Sequence, residues 1–259
     1  MNNITVQMNN ITVQEKSEQK SQEQKVKRKI TKKNKEKIIN LKFKEENKKD
    51  WIIKKISNNN NDILVIDNYY SEKELNNVFT ELDYYMNNGL DNLISSQNDK
   101  ATAHNAKGES LAKTYRFYVE PNQYSVLYKY GKYTSKEFKE MVESNFSFGK
   151  YLTNTKRNKI MVNYYENGEY YKSHKDDSVI SQLTWVYHQP KMFTGGDVIF
   201  SDMNETIECL HNRSVFFPGH YFHEVKEVNM NDNFKKEDFD NKYYGRFSLA
   251  NFFSTGQIF

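Results

Sequence analysis

Lys159–Asp176 reads KIMVNYYENGEYYKSHKD, and this stretch decides how the second half of the chain folds. Lys159 to Tyr165 is apolar and aromatic, the composition of a strand. Glu166-Asn167-Gly168 supplies a turn, with a glycine that takes a positive φ at no steric cost. A second strand follows and carries His174-Lys175-Asp176. Side chains at i and i+2 of an extended strand point to the same face. The spacing therefore predicts an imidazole and a carboxylate offered side by side. Asp177, at i+3, falls on the other face and is the poorer candidate.

Further strand signals surround this hairpin. They are LTWVYH (Leu183 to His188), GGDVIFSD (from Gly195), RSVFFPGHYFHEVKEV (Arg213 to Val228) and GRFSLANFF (Gly245 to Phe253). Short strands alternating with turns at this even spacing predict a jelly roll of about eight strands. No helical periodicity appears in this half. A second imidazole comes from His220 or His223. His220 lies in the Pro218-Gly219 turn, whereas His223 begins the strand-like HEVKEV, and a ligand is better fixed on a regular element. With six histidines in the chain, one H-x-D can arise by chance. Two His and one carboxylate on one face of a metal would leave the opposite positions open, the pattern of non-haem Fe(II) oxygenase sites. Arg246 stands in the otherwise apolar RFSLANFF. It either pairs with an acidic neighbour at the surface or faces inward toward a bound anion; the apolar strand favours the second, since an unpaired buried charge is costly. A planar guanidinium suits carboxylate better than a lysine does.

Taken in order from Asp62 to Phe259, the succession resembles the prolyl 4-hydroxylase-like branch of the Fe(II)/2-oxoglutarate-dependent dioxygenases. The pieces that carry it are the tyrosine-rich lead-in, H-x-D, GG-x-x-x-F, F-x-P followed by HEV, and R-x-S. The resemblance implies a double-stranded β-helix with N-terminal supporting helices, mainly β with flanking helices (α+β). It implies Fe(II), 2-oxoglutarate, O2 and ascorbate, used to hydroxylate a C–H bond. His174, Asp176 and His223 would be the iron ligands. Arg246 and Ser248 would hold the far carboxylate of 2-oxoglutarate, and Tyr165 matches a tyrosine lining the cosubstrate pocket. His188 stands where the family often has a tyrosine that helps hold that carboxylate. The interval from His223 to Arg246 is longer than usual, and the polar Asn229 to Tyr244 filling it is expected to be a surface loop.

The substrate implied is a prolyl residue of a peptide or protein. The alternatives are a free amino acid or other small molecule, and a barrel that binds a peptide without turnover. A cupin-like metal-binding barrel without 2-oxoglutarate is disfavoured by Arg246. Oxygenases that repair alkylated bases carry R-x-N-x-T-x-R, and RFSLANF departs from it. Charge agrees. Residues 1–50 hold 14 Lys and Arg against 7 Asp and Glu, which out of 38 and 34 leaves 24 against 27 in the remainder. The folded part is mildly acidic and a poor nucleic-acid surface, while the basic tail is open to a weak contact.

Residues 1–60 are expected to be a disordered extension, rich in Lys, Asn and Gln, preceding a dioxygenase domain at 61–259. MNNITVQ occurs twice at the start, too short a repeat to build a core. Lys25 to Lys37 is either a solvated arm or a nuclear-address tail. One cysteine, Cys209, excludes an internal disulfide and suits a reducing, cytoplasmic compartment. No signal-peptide core or bilayer-length apolar run is present. Ser71-Glu72-Lys73-Glu74 has capping-box spacing ahead of a helix to about Asn88. Ser135 to Asn145 is a second expected helix. Gly89 to Lys113 is expected to be a loop, either a substrate-binding lid or a plain surface excursion.

Overall fold

Every residue of the strand Asn61–Asp67 between its two ends is buried, so this strand must be covered on both faces. The computed structural model describes residues 37–39, 51–58, 60–88, 93–121, 125–231 and 243–256, and it supplies both covers. The principal elements are β1 (Ile52–Asn58), β2 (Asn61–Asp67), α1 (Glu72–Asn88), β3 (Tyr115–Val119), α2 (Lys136–Asn145), β4 (Arg157–Tyr165), β5 (Glu169–His174), β6 (Ile180–Val186), β7 (Val198–Phe200), β8 (Glu205–Ile207), β9 (Arg213–Pro218), β10 (His223–Met230) and β11 (Arg246–Ser254).

A major sheet runs β1-β2-β9-β6-β11-β4-β3, and a minor sheet runs β8-β7-β10-β5. Neighbours in both sheets pair antiparallel. The period of two along each major strand sorts side chains into two cores. Leu64, Ile66, Phe216, Phe247 and Leu249 face outward and pack with Val78 and Leu82 of α1 and Phe138 and Val142 of α2. Ile63, Val65, Val215, Phe217, Leu183, Trp185 and Ala250 face inward toward the minor sheet. This is the jelly roll with supporting helices that the sequence predicts. Fixed caps start both helices. Ser71 N–H donates to Glu74 Oε2 (2.8 Å), Glu74 N–H donates to Ser71 Oγ (3.3 Å), and Phe138 N–H donates to Ser135 Oγ (3.2 Å). Among the described residues no helix is long and apolar enough to cross a membrane.

The expected boundary near residue 60 falls inside the sheet. β1 pairs with β2 over all seven of its residues, and Ile53 is fully buried. Composition hid this strand because adjacent lysines, Lys54 and Lys55, put one charge on each of its faces. Lys55 meets Asp62 at 3.0 Å and Lys54 meets Asp67 at 3.6 Å, so the charges are paired rather than solvated. Lys37–Ile39 is also extended. The other residues of 1–50, with the heptapeptide repeat and most of the basic run, lie outside the described residues. So do 232–242, most of the expected surface loop before Arg246; Asn229 and Met230 continue β10 instead.

Candidate metal centre

β5 ends at His174 and its neighbour β10 begins at His223, and the two residues are directly paired in the antiparallel register. Strand pairing thus sets two imidazoles from distant stretches side by side, with ring centroids 4.3 Å apart. Asp176 lies just past the end of β5 instead of on it. Its N–H donates to Gly219 O (2.9 Å), which pins this segment to the turn before His223. The result still places one carboxylate between two rings: Asp176 Oδ1 is 3.6 Å from His174 Nε2, and Oδ2 is 3.6 Å from His223 Nε2. One ligand atom from each of the three residues lies within 4.8 Å of the others. Asp177 is exposed, and His220 is exposed in its turn.

The hydrogen bonds fix the tautomers. His174 Nδ1 is 2.8 Å from Lys172 O, and His223 Nδ1 is 3.0 Å from Tyr221 O. A carbonyl only accepts, so each Nδ1 carries the proton and each Nε2 turns a bare lone pair toward the carboxylate. Burial, then the neighbouring His223, depress the His174 pKa to about 3, which keeps the ring neutral as a ligand must be. Ser181 donates to Asp176 Oδ2 (2.5 Å) and orients the carboxylate. Two neutral imidazoles and one anionic carboxylate on one face, lining a cavity, fit a divalent first-row metal.

That cavity has a volume of about 620 Å³. Tyr165 and Ser248 form part of its wall, as do Arg116 and Asn163. Arg246 is fully buried beside it. Its Cζ lies 4.9 Å from the Tyr165 ring centroid and 5.3 Å from that of Trp185. None of its three guanidinium nitrogens reaches a hydrogen-bond partner, so Arg246 faces inward rather than pairing with an acidic neighbour at the surface. The Tyr165 hydroxyl pKa is pushed up to about 12 by burial, against the opposing effect of Arg246.

His188 is not part of this site. It turns outward, stacks on Phe79 of α1 (centroids 4.4 Å) and sits 3.5 Å from Asp83 Oδ1. The alternation of β6 carries on past its end: Leu183, Trp185 and Tyr187 all pack inward, so the next residue points out. His211 supports the same outer cluster, its Nδ1 accepting from Tyr187 N–H (3.2 Å). The sequence reading missed Arg116 and Asn163. Arg116 offered the same signal as Arg246, a lone charge between aromatic strand residues in YRFYV.

No family model and no curated protein matches this chain. Solved structures do. A prolyl-4-hydroxylase from Pseudomonas putida matches with a TM-score of 0.50 at 15% identity, over 75% of this chain and 93% of that one. A prolyl hydroxylase from Trichoplax adhaerens, in complex with a hypoxia inducible factor oxygen degradation domain peptide fragment, matches at 0.49 and 14% identity over 76% and 84%. An oxidoreductase of the 2OG-Fe(II) oxygenase family from Burkholderia pseudomallei matches at 0.47 and 11% identity over 75% and 86%. The chain has the jelly-roll fold of the 2-oxoglutarate oxygenases.

Proposed function

We propose that this chain is an Fe(II)- and 2-oxoglutarate-dependent dioxygenase that hydroxylates a C–H bond, with prolyl residues of a peptide or protein as its substrate. The observation that carries the reaction type is the meeting of His174 Nε2, His223 Nε2 and Asp176 on the wall of a cavity, with the buried Arg246 against Tyr165 of the same wall. His174, Asp176 and His223 would hold the iron. Bound there, iron with 2-oxoglutarate supplies the oxidation, consuming O2 and releasing succinate and carbon dioxide, with ascorbate keeping the metal ferrous. The protein's own residues orient and exclude. Lys172 O and Tyr221 O hold the two ring tautomers, and Ser181 fixes the carboxylate. Arg246 offers its charge to the remote carboxylate of the cosubstrate, with Tyr165 and Ser248 shaping the approach. Leu183, Val225 and Ala250 supply an apolar stretch of the cavity wall, which disfavours water beside the reacting atoms. The prolyl assignment rests on the resemblance in H-x-D, HEV and R-x-S.

Anaerobic addition of Fe(II) and then 2-oxoglutarate to the purified protein tests the reaction type. A weak visible charge-transfer band is expected, and iron binding without the band contradicts the reading. Incubation with 2-oxoglutarate and ascorbate against peptide and amino-acid pools, following a mass gain of one oxygen, tests the substrate. Oxidation of prolyl peptides supports it, and oxidation confined to other compounds replaces it.

A further inference from the structure

The cavity wall carries a second buried arginine, and it belongs to neither the metal triad nor the Arg246 cluster. Arg116, on β3, is 1% exposed. Its Nη1 donates to Asp99 Oδ2 at 3.3 Å. Its Nε and Nη2 reach no hydrogen-bond acceptor. Those two atoms form the side-on edge of the guanidinium, two parallel N–H groups spaced to meet the two oxygens of one carboxylate. Burying a cation with that edge bare is costly unless an anion completes it.

Position ties this edge to the metal centre. Arg116 lies over the Tyr171 ring (5.8 Å to the centroid), and Tyr171 stacks on His174 with centroids 3.6 Å apart. Arg116 is therefore one aromatic ring from a proposed iron ligand, within the same cavity. Its cross-strand partner Asn163, 4% exposed, also lines that cavity with an unpartnered Oδ1. The arginine is held in place from outside. Asp99 also accepts from the Tyr118 hydroxyl (2.7 Å) and Ala101 N–H (3.0 Å), and the following residues Lys100 to His104 form one side of the cavity. The rest of the rim is basic: Lys100, Arg157, Lys159 and Lys175 line it, against Asp176 and Asp177. A cavity of positive sign draws in anions.

We propose that Arg116 is the residue that selects the substrate, by binding a carboxylate on it through Nε and Nη2. The inference rests on the oxygenase reading and narrows its substrate to acidic molecules. The carboxylate is either the α-carboxylate of a free amino acid or an acidic group of a peptide, and the two sources separate in the test.

The experiment uses the full-length protein with Fe(II) and 2-oxoglutarate, under nitric oxide in place of O2. Electron paramagnetic resonance of the nitrosyl complex reports what enters the cavity without requiring turnover. The probes are matched pairs at millimolar concentration: L-proline and L-prolinamide, L-leucine and L-leucinamide, and blocked Ala-Pro-Glu and Ala-Pro-Gln peptides. The spectrum should change with carboxylate members and not with their amides. A response to the free acids points to an amino acid, and a response to the Glu peptide alone points to a peptide. Arg116→Gln should weaken the responding probe on the order of 100-fold, with Arg116→Lys between it and the wild type. The visible band with 2-oxoglutarate should persist in Arg116→Gln and vanish in Arg246→Gln.

Equal responses to acids and amides, or no response to any carboxylate, overturn the proposal with the wild-type protein alone. Loss of the 2-oxoglutarate band in Arg116→Gln also overturns it, since it moves Arg116 to the cosubstrate. Absence of the band in the wild type instead contradicts the oxygenase reading itself.

Discussion

His174 and His211 are both buried imidazoles whose pKa values lie below the ordinary one, at about 3 and about 4, in each case chiefly through burial. Both rings are therefore neutral in the fold. The sign of the consequence is fixed: the unfolded chain takes up protons first, so stability is intact above about pH 6.5 and declines as pH falls from there toward about 4 for His211 and about 3 for His174. For His211 the proton would land on Nδ1, the atom accepting from Tyr187 N–H. Thermal melts of the metal-free protein across this range should show the decline, and His211→Gln should make it shallower. A melting temperature that holds steady over the range would contradict the burial account. At this scale the two imidazoles were legible because H-x-D and HEV put His174 and His223 at strand positions that pair, while Asp176 reaches them from just past the strand's end. His188 misled because a single step along a strand reverses which face a side chain occupies. Arg116 went unread because nothing in YRFYV says which alternate face closes over a cavity.

Between residue and molecule stand the strands and turns that aim the side chains. Gly195 and Gly196, ahead of β7, both have positive φ, at 72° and 75°. A Cβ on Gly196 would come within 2.7 Å of Arg246 Cδ. Gly196→Ala should therefore cost about 1–3 kcal/mol of stability through backbone strain and also displace Arg246. In a titration of the visible band, 2-oxoglutarate affinity should fall about tenfold or more. Unchanged affinity would separate Arg246 from the cosubstrate. The helix starts were plain in sequence, since a capping box depends on residues three apart. The short helices Val126–Lys129 and Gly149–Thr153 were not, because a single turn has no periodicity to display.

Taken together, the described residues from 51 on form a major sheet buried on both faces, with helices outside and the His174–His223 pair on the facing minor sheet. β1 completes that arrangement over β2. A chain beginning at residue 61 loses the buried Ile53 and the seven-residue pairing. Burial of that one side chain alone is worth about 1.5–3 kcal/mol. Such a chain should melt at a lower temperature than one beginning at residue 51, and equal melting would return the boundary to residue 60. Lysine-rich composition concealed this strand, since disorder and a half-polar strand use the same residues.

Ferrous ion binding is the most direct measure of the central claim. Equilibrium binding under anaerobic conditions should give one Fe(II) per chain in the wild type and in His220→Ala, and none of comparable affinity in His174→Ala, Asp176→Ala or His223→Ala. Undiminished binding in those three variants, or its loss in His220→Ala alone, would contradict the account.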